Sequence, residues 1–453
     1  MQSPWTSILG RDAKQRRHRL NGVSYQEDAL TTFNGWQYAV FYSTCAAERA
    51  EALEEADAPL YLHLARRPLT EQAWETVVFE DYPQTTDDGH NTAQVGICHG
   101  DGSIHLSYDH HCDTLRYRQS IFGLALEPAK HQWVASQFTG TLDALPGLSS
   151  RLETFQDVSY PRFRCVDDDL LFTHRLGRAG LGSDVLYRYS ASSRSYTAIG
   201  QHLTGVNNNP YINGLDYRNG RLHVTWTYRG FVWYEGWDDP RDTKHKAQAG
   251  PNGAENNYDI CYAYSDDVGR TWKTGASGNT VADIDEGESV TPDTEGIVAF
   301  SIPKNSGLTN QESQAVDHVG GVHVLNRDKT GGKLQWKHYY RSPSGQWSST
   351  VIPGFNESSI RKRGSIAIGK NNNLYLALPD SATQSLKVLR ATSSTGYMTF
   401  DQGCDLEGCE GEPVVDKARL ELDDELAILT TRVVEPAVGD SDRNVVVVSL
   451  KAW

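Results

Sequence analysis

The chain has 453 residues, of which 38% are hydrophobic and 22% charged, so it is not a disordered acidic chain, and no apolar run reaches the roughly 20 residues of a membrane span. The formal net charge of −15 argues against nucleic acid as a partner, because phosphate binding requires a clustered surplus of Lys and Arg. With 40 Gly, 22 Tyr and 11 Trp, the composition is typical of a β-rich protein with many turns.

A pair of strands recurs seven times along the chain, and the first strand of each pair follows a turn rich in Asn, Asp or Gly. In chain order the first strands read WQYAVFY, SIHLSYDHH, LLFTHR, RLHVTWTYR, VHVLNR, LYLALP and ELAILTTR. Their partners read LYLHLARR, LRYRQS, VLYRYS, ICYAYS, LQWKHYYR, LKVLRAT and VVVVSL. This repeat predicts an all-β fold, a seven-bladed β-propeller, as a single domain over residues 1–453. A two-sheet sandwich would not explain seven copies of one unit.

Two segments depart from the simple repeat. The longest insertion runs from about Phe231 to Asn257, and its length and polarity predict a functional loop or lid rather than a linker. Its aromatics Trp233, Tyr234 and Trp237 are expected to stack on sugars. The run SDDVGRTW, from Ser265 to Trp272, matches the Asp-box pattern. We interpret the Asp box as architecture, with the Asp and Ser capping a turn and the Trp packed between sheets.

The ends of the second and third hairpins carry the candidate catalytic residues. Residues equidistant from the turn of an antiparallel hairpin lie side by side. A second turn centred near residue 100 pairs His90 with His110, and a third turn near residues 167–168 brings Tyr160 to Arg175. Because equivalent blade ends share one face, we expect these side chains at one mouth of the channel. His111 competes with His110, since the register is uncertain by one residue.

The same count adds candidate substrate-binding residues at this mouth. It places Arg229 opposite Pro210 and beside Tyr211, Arg327 opposite Ser313, and Arg363 at the start of the sixth hairpin. His105 and His223 fall in mid-strand and are interpreted as structural. The complete candidate substrate-binding set is Asn91, His111, Tyr211, Arg229, Arg327 and Arg363.

A mouth with His, Tyr and Arg but no convergent pair of carboxylates disfavours most glycoside hydrolases. A sialidase-like site would use several Arg and a Tyr, but it leaves the His pair without a role. β-Elimination at a uronic acid uses all three residue types. An Arg neutralises the carboxylate, and a His takes the C5 proton and serves the leaving oxygen.

The run GSIHLSYDHHCDTLRYRQS after His90 resembles the BNR-type propeller lyases that act on uronic-acid polysaccharides, as do VSYPRF with LLFTHRLGRAG, RLHVTWTYR and ICYAYSDDVGRTW. The resemblance extends from about Tyr25 to the C-terminus and includes ulvan lyases and fungal rhamnose–glucuronate lyases that trim gum arabic. It implies catalytic roles for His90, His110, Tyr160 and Arg175. The Tyr-to-Arg interval is one residue shorter than in the family, which leaves Arg178 as an alternative.

The resemblance also bears on cofactors. Ulvan lyases often hold a structural metal with His and Cys, near the position of Cys261, but Tyr258 stands here where a His is expected. We therefore assign no metal ligands and expect no cofactor in the chemistry, with structural calcium or zinc left open. The chain has seven Cys, and Cys404 and Cys409 either form a bridge or remain free thiols.

The expected function is a polysaccharide lyase that releases terminal L-rhamnose from glucuronate and leaves a 4,5-unsaturated uronate. The net charge would repel a long sulfated polymer, so ulvan lyase is the second choice, ahead of a sialidase-like hydrolase and a non-catalytic lectin-like propeller. The expected partner is a uronic-acid-containing polysaccharide or oligosaccharide, bound by a monomer. The N-terminal segment lacks signal-peptide features, which fits an intracellular protein or a mature secreted chain; we expect secretion.

Overall fold

The strands of the protein form a ring of sheets that follow one another along the chain. The computed structural model describes residues 4–13, 16–23, 27–44, 58–178, 181–205, 207–235, 251–275, 277–434 and 442–453. Within these ranges there are seven antiparallel sheets, and the innermost strands of successive sheets pack against each other. The predicted seven-bladed β-propeller is therefore confirmed. The extent of a single domain over residues 1–453 stays a prediction.

The chain begins in the last sheet and then builds the other sheets in order. The strands of the first three sheets, with the preceding β1, are β1 (Trp5–Arg11), β2 (Leu30–Phe33), β3 (Trp36–Ser43), β4 (Leu60–Pro68), β5 (Glu75–Gln84), β6 (Ala93–Ile97), β7 (Ile104–Tyr108), β8 (His111–Asp113), β9 (Tyr117–Gln119), β10 (Val158–Val166), β11 (Asp169–Leu176), β12 (Ser183–Ser190) and β13 (Ser195–Leu203). The first sheet contains β2–β5, the second β6, β7 and β9, and the third β8 with β10–β13.

The remaining sheets follow the same plan. Their strands and the helix α1 are β14 (Asn208–Arg218), β15 (Arg221–Gly230), β16 (Asn257–Ser265), β17 (Thr271–Thr274), β18 (Thr280–Asp283), β19 (Val298–Phe300), β20 (Ser313–Val316), β21 (Val322–Asp328), β22 (Gln335–Arg341), β23 (Trp347–Val351), β24 (Ser365–Ile368), β25 (Leu374–Asp380), β26 (Ser385–Ala391), β27 (Asp401–Glu407), β28 (Val414–Val415), α1 (Lys417–Asp423), β29 (Glu425–Val433) and β30 (Arg443–Lys451). The fourth sheet contains β14–β19, the fifth β20–β23, the sixth β24–β27, and the last β28–β30 with β1. Short 3-10 helices cover Pro128–Lys130, Ala135–Gln137, Ser149–Phe155, Ala254–Asn256 and Ser393–Thr395.

The two ends of the chain meet in the last sheet. β1 pairs antiparallel with β30, and Trp5 lies opposite Ser449. α1 packs against β2, β24 and β29, where the last sheet meets the first. Asp416 caps α1 by accepting a hydrogen bond from the backbone N–H of Arg419. Among the described helices, none has the length and apolarity that a membrane crossing requires.

Local turn chemistry sets two of the hairpins. Asn34 and Gly35 both have positive φ, and they connect β2 to β3 as a two-residue loop. Asn219 and Gly220 do the same between β14 and β15. Asn-Gly is the preferred pair for this left-handed turn, whose twist matches that of the flanking strands.

The Asp box is architectural, as predicted. Ser265 Oγ donates to Asp267 Oδ1 at 2.7 Å, and Asp267 Oδ1 accepts from the backbone N–H of Thr271 at 2.8 Å. The Trp272 ring is fully buried, with its Nε1 donating to the carbonyl oxygen of Gly269 at 3.0 Å. The turn and the packed indole together tie β16 to β17.

Candidate functional site

The innermost strands β6, β10, β14, β20 and β24 pack side by side in the ring, and their starting ends collect most of the predicted site. His90 precedes β6, Tyr160 and Tyr211 lie near the starts of β10 and β14, and Arg363 precedes β24. A cavity of about 300 Å³ is lined instead by the far ends of these strands and by α1, for example by His99 and Arg218. The candidate site and this cavity therefore belong to opposite ends of the central channel.

Asp88 joins two histidines at the start of the second sheet. His90 Nδ1 lies 2.5 Å from Asp88 Oδ1, and His111 Nδ1 lies 2.7 Å from Asp88 Oδ2. The two imidazole rings stack with their centroids 4.0 Å apart. One carboxylate thus orients both rings, and sequence reasoning missed it although Asp88 stands only two residues before His90.

His110 does not take the place beside His90 that the sequence count gave it. Ala93 pairs with Tyr108, so the hairpin is centred between Gly100 and Asp101, and His111 falls level with His90. The His110 side chain is 1% exposed, and its Nε2 accepts a hydrogen bond from the backbone N–H of Arg116 at 2.6 Å. The catalytic role of a histidine here stays a prediction, but its geometry now favours His111.

The protonation of this cluster follows from burial. Burial, with the neighbouring charge of His90, lowers the pKa of His111 to about 3, so the imidazole is neutral near pH 7. Burial alone would raise the pKa of Asp88, but hydrogen bonds from His111 and His90 hold it well below its usual range. An ionised carboxylate facing Nδ1 fixes the tautomer that carries its proton on Nδ1 and its lone pair on Nε2.

Tyr160 lies on a strained bulge of β10. Ser159 pairs with Arg175, but the next paired residue on β10 is Arg162, so the bulge contains Tyr160. Tyr160 has φ of 55°, a left-handed conformation that is costly for a bulky side chain. The bulge points the ring toward Arg175, whose Cζ lies 4.8 Å from the ring centroid. The sequence count placed Tyr160 opposite Arg175; the paired residue is Ser159, one position away, and the bulge restores the contact of Tyr160 with Arg175.

Arg175 is a buried cation with no acidic partner in the part of the chain that the structure describes. Its side chain is 1% exposed, and no ion pair among the described residues includes it. Nη2 donates to Ser159 Oγ at 2.9 Å and to Cys112 Sγ at 3.1 Å, and Nη1 donates to Tyr211 Oη at 3.3 Å. Both Nη atoms of the guanidinium therefore bond neutral groups in this structure. A buried guanidinium surrounded by neutral groups is stabilised when an anion binds nearby.

Tyr211 lies between two positive charges. The Cζ of Arg229 is 4.7 Å from the Tyr211 ring centroid, and Asn209 Nδ2 donates to the Tyr211 hydroxyl at 3.1 Å. Burial alone would raise the pKa of Tyr211, but the charges of Arg229 and Arg175 and the bond from Asn209 lower it below its ordinary value. Tyr211 is therefore a stronger acid than an ordinary tyrosine.

Asn310 connects Arg229 to a second basic cluster. Arg229 Nη2 donates to Asn310 Oδ1 at 2.7 Å, and Arg363 Nε donates to the carbonyl oxygen of Asn310 at 2.8 Å. Arg327 Nη1 donates to the carbonyl oxygen of Lys362 at 3.0 Å in the same region. Asn310, which was not predicted, thus holds two of the three predicted arginines, and Arg327 bonds the residue that precedes Arg363.

The predicted partners of Arg229 and Arg327 are wrong by one and two residues. Arg229 pairs with Asn209 because a bulge between Ile212 and Gly214 shifts the register of β14. Ser313 pairs with Leu325, because the turn is centred on residue 319 rather than on the glycine pair. Neither the bulge in β14 nor the centre of the β20–β21 turn has a sequence signal that counting residues from the turn could use.

Glu312, at the start of β20, is a buried carboxyl between Arg327 and Arg363. Burial raises the pKa of Glu312 to about 7, although the positive charges of Arg327 and Arg363 oppose the shift. Its Oε1 accepts the backbone N–H of Gly364 at 2.7 Å, and its Oε2 has no partner among the described residues. This group therefore keeps its proton at pH values where an unfolded chain has lost it.

The Glu312→Gln variant should lose a pH dependence of stability. A carboxyl with a raised folded-state pKa makes the protein less stable as pH rises from the unfolded value of 4.5 to about 7. Gln keeps an acceptor for Gly364 but cannot titrate, so the contribution of this group to the stability difference between pH 5 and pH 8, about 2.5 kcal/mol, should be lost. Urea unfolding of both proteins at the two pH values measures it. An unchanged difference in the variant would contradict the assignment.

The remaining predicted residues have mixed placements. Asn91 is buried and donates to Asp109 Oδ1 at 2.7 Å, which is a structural contact. The described base of the insertion is tied to the site, because Asn252 Oδ1 accepts the backbone N–H of Val232 at 2.5 Å and its carbonyl oxygen lies 3.5 Å from Arg229 Nη1. Trp233 is 60% exposed. Residues 236–250, which include the predicted Trp237, lie outside the described residues.

The structure also bears on thiols and metals. Cys404 and Cys409 are free thiols rather than a bridge. Cys261 is buried in the core, and Tyr258 donates to Asn208 Oδ1 at 2.9 Å. Among the described residues, the one group that could hold a metal ion is Asp88, His90 and His111, and Cys261 is not part of it.

The comparisons with known proteins agree with this architecture. A family model described as "BNR repeat-containing family member" matches residues 36–353. The chain belongs to this BNR repeat-containing family. No curated protein matches the sequence.

Two solved structures share the fold of this BNR family member over nearly its whole length. Polysaccharide lyase Uly1 is 16% identical, with a TM-score of 0.68 over 99% of each chain. An ulvan lyase of the polysaccharide lyase family PL25 is 13% identical, with a TM-score of 0.65 over 98% of this chain and 95% of its own. At this identity the similarity establishes the shared propeller fold.

Proposed function

We propose that the protein is a polysaccharide lyase that cleaves the bond to O4 of a uronate residue by β-elimination. The observation that carries the proposal is the Asp88–His111 pair beside the buried, acid-free Arg175 guanidinium. Two proteins of the same fold are polysaccharide lyases, which supports the reaction class.

The chemistry follows from the charges. Removal of the C5 proton of a uronate leaves a carbanion whose negative charge is shared with the carboxylate. Positive charge near the carboxylate stabilises this carbanion and so makes the C5 hydrogen more acidic. Arg175 supplies that charge from beneath the Tyr160 ring, and the half-buried Arg229 supplies it from beside Tyr211. When a uronate is bound over these two rings, its negative charge lies close to both guanidinium groups.

His111 is the proton acceptor in this proposal. His111 Nδ1–H donates a hydrogen bond to the Asp88 carboxylate, so Nε2 is left to accept the C5 proton. In a 4-linked D-glucuronate the C5 hydrogen and the O4 oxygen lie on the same side of the ring. One group can therefore take the proton and pass it to the leaving oxygen, with Tyr160 as the competing acid. His90, stacked on His111, orients that ring.

Hydrolysis fits the described residues less well. A glycosidase places two carboxyl groups about 5 to 10 Å apart across the scissile bond. Here Asp88 is engaged by two histidines, and Glu312 lies buried between arginines. Neither carboxyl is presented to a sugar as an acid or a nucleophile.

The finer proposal is release of terminal L-rhamnose from rhamnosyl-glucuronate chain ends. The acidic protein would repel a long sulfated polymer more strongly than a chain end with one uronate. Ulvan is the second candidate substrate, because one protein of the same fold is an ulvan lyase. Both polymers are extracellular, so the proposal includes secretion of the mature chain.

A product assay tests the reaction class. We expect gum arabic to yield free rhamnose together with a 4,5-unsaturated uronate that absorbs in the ultraviolet. Gum arabic from which the rhamnose caps have been removed is the control and should give neither product. Rhamnose released together with a saturated uronate would identify a hydrolase. Binding without any product would identify a lectin. Unsaturated product from ulvan but not from gum arabic would identify the second candidate, an ulvan lyase.

A further inference from the structure

The three side chains Asp88, His90 and His111 form a compact group of nitrogen and oxygen donors. One ligand atom from each lies within 4.8 Å of the other two. We propose that this group binds a divalent transition-metal ion of the Zn²⁺ type, and that the bound ion inhibits the enzyme. The inhibition rests on the proposed lyase function, whereas the binding does not.

The donor set selects the class of ion. Two imidazole nitrogens and one carboxylate oxygen suit Zn²⁺, Cu²⁺ or Ni²⁺, whereas Ca²⁺ and Mg²⁺ prefer all-oxygen sites. Three protein ligands leave a position open to water, as in catalytic rather than structural zinc sites. The chain has no fourth ligand in this group among the described residues.

The scaffold holds the donors near each other before an ion arrives. Asp88 and His90 belong to one turn, where Asp88 Oδ1 also accepts the backbone N–H of His90 at 3.0 Å. The His111 side chain is 7% exposed, while the His90 side chain is 33% exposed, so an ion approaches from the His90 side. Pre-positioned ligands reduce the ordering cost of binding.

The ion replaces two hydrogen bonds. Each Nδ1 now lies 2.5 or 2.7 Å from a carboxylate oxygen, with a proton between the two atoms. An ion bound at about 2.0–2.2 Å from Nδ1 requires that proton to leave. In a neutral imidazole the proton moves from Nδ1 to Nε2, and the Nδ1 lone pair binds the ion. No net proton is lost from that ring.

This tautomer change is the reason for inhibition. With its proton on Nε2, His111 cannot accept the C5 proton of a uronate. The nearby positive charge of Arg175 acts on His111 and opposes the ion, so we expect micromolar rather than nanomolar affinity. The metal ion thus inhibits by removing the form of His111 that can accept a proton, and not by occupying the space of the substrate.

Calorimetric titration of Zn²⁺ into the substrate-free protein tests the site. The protein carries no histidine tag and is first treated with EDTA and dialysed. We expect one equivalent of Zn²⁺ to bind the wild type, and Asp88→Asn and His90→Gln each to weaken binding at least about tenfold. His318→Gln is the matched control, because His318 lies 3.6 Å from Glu421 without belonging to such a group. It should bind as the wild type does.

The outcomes separate the two claims. Absence of binding, or equal affinity in Asp88→Asn and the wild type, would overturn the metal site. An anomalous-scattering peak among the three side chains of zinc-soaked crystals would support it. In the product assay, Zn²⁺ should suppress turnover and EDTA restore it. Full turnover with zinc bound would overturn the inhibition, and zinc binding without any lyase activity would overturn the proposed function and leave the site standing.

Discussion

Arg175→Lys should lower kcat/KM of the lyase by about 100-fold or more, with the fold intact. Lys keeps the positive charge but has one ammonium group in place of the planar fork. It cannot bond Ser159 Oγ and Tyr211 Oη together, so Tyr211 and the charge beneath Tyr160 lose their fixed positions. Removing one preorganised donor to developing charge costs an enzyme about 100- to 1,000-fold.

The matched control is Arg178→Lys, three residues further along the chain. Arg178 lies in the loop after β11, and its carbonyl oxygen accepts the backbone N–H of Leu181. We expect its kcat/KM within about twofold of the wild type, as for surface substitutions away from a site. Thermal unfolding of both variants checks that the fold is retained. Near-normal activity in Arg175→Lys with a loss in Arg178→Lys would transfer the role to Arg178.

His111→Asn should lower kcat by about 100- to 10,000-fold while leaving the protein folded. The Asn amide replaces Nδ1 and can still donate to Asp88, but it has no counterpart of Nε2. General-base catalysis contributes about 100- to 10,000-fold, so a loss of this size is expected in kcat. Single-turnover formation of the unsaturated product measures it, and substrate binding by calorimetry should persist.

His110→Gln is the companion variant that separates the neighbouring histidines. Gln Oε1 can replace Nε2 as acceptor for the backbone N–H of Arg116, so structure and activity should be retained. His110→Phe removes that acceptor and should cost about 1–3 kcal/mol of stability without loss of activity per folded molecule. If His110→Gln is inactive while His111→Asn turns over, the original assignment to His110 is restored.

The fold could be predicted because its signals are local. Alternating residues indicate the strands, and Asn-Gly turns such as Asn34-Gly35 before β3 specify two of the hairpins. The predicted strand LLFTHR became β11 (Asp169–Leu176), and VVVVSL became β30 (Arg443–Lys451). Repetition of such a unit leaves few other ways to bury all the sheet faces.

The site was only partly predictable, because its geometry depends on register. Tyr160 and Arg175 are in contact as predicted, yet the residue that pairs with Arg175 is Ser159, and the contact comes from a bulge that counting does not reveal. The predicted and observed centres of the second turn differ by half a residue, and this difference decides whether His110 or His111 lies level with His90. A one-residue shift in register moves a side chain to the opposite face of the sheet. Asp88 and Asn310 act through hydrogen bonds between segments that are distant along the chain or across a turn, and such contacts leave no periodic pattern.

The pairing of β1 with β30 constrains how the chain is made. Trp5 finds its partner Ser449 only after almost the entire polypeptide has left the ribosome. Until then, β1 is an unpaired edge that can join a strand of another chain. Closing a loop of this length is an entropically costly, late event, so we expect the pairing of β1 with β30 to limit the rate of folding.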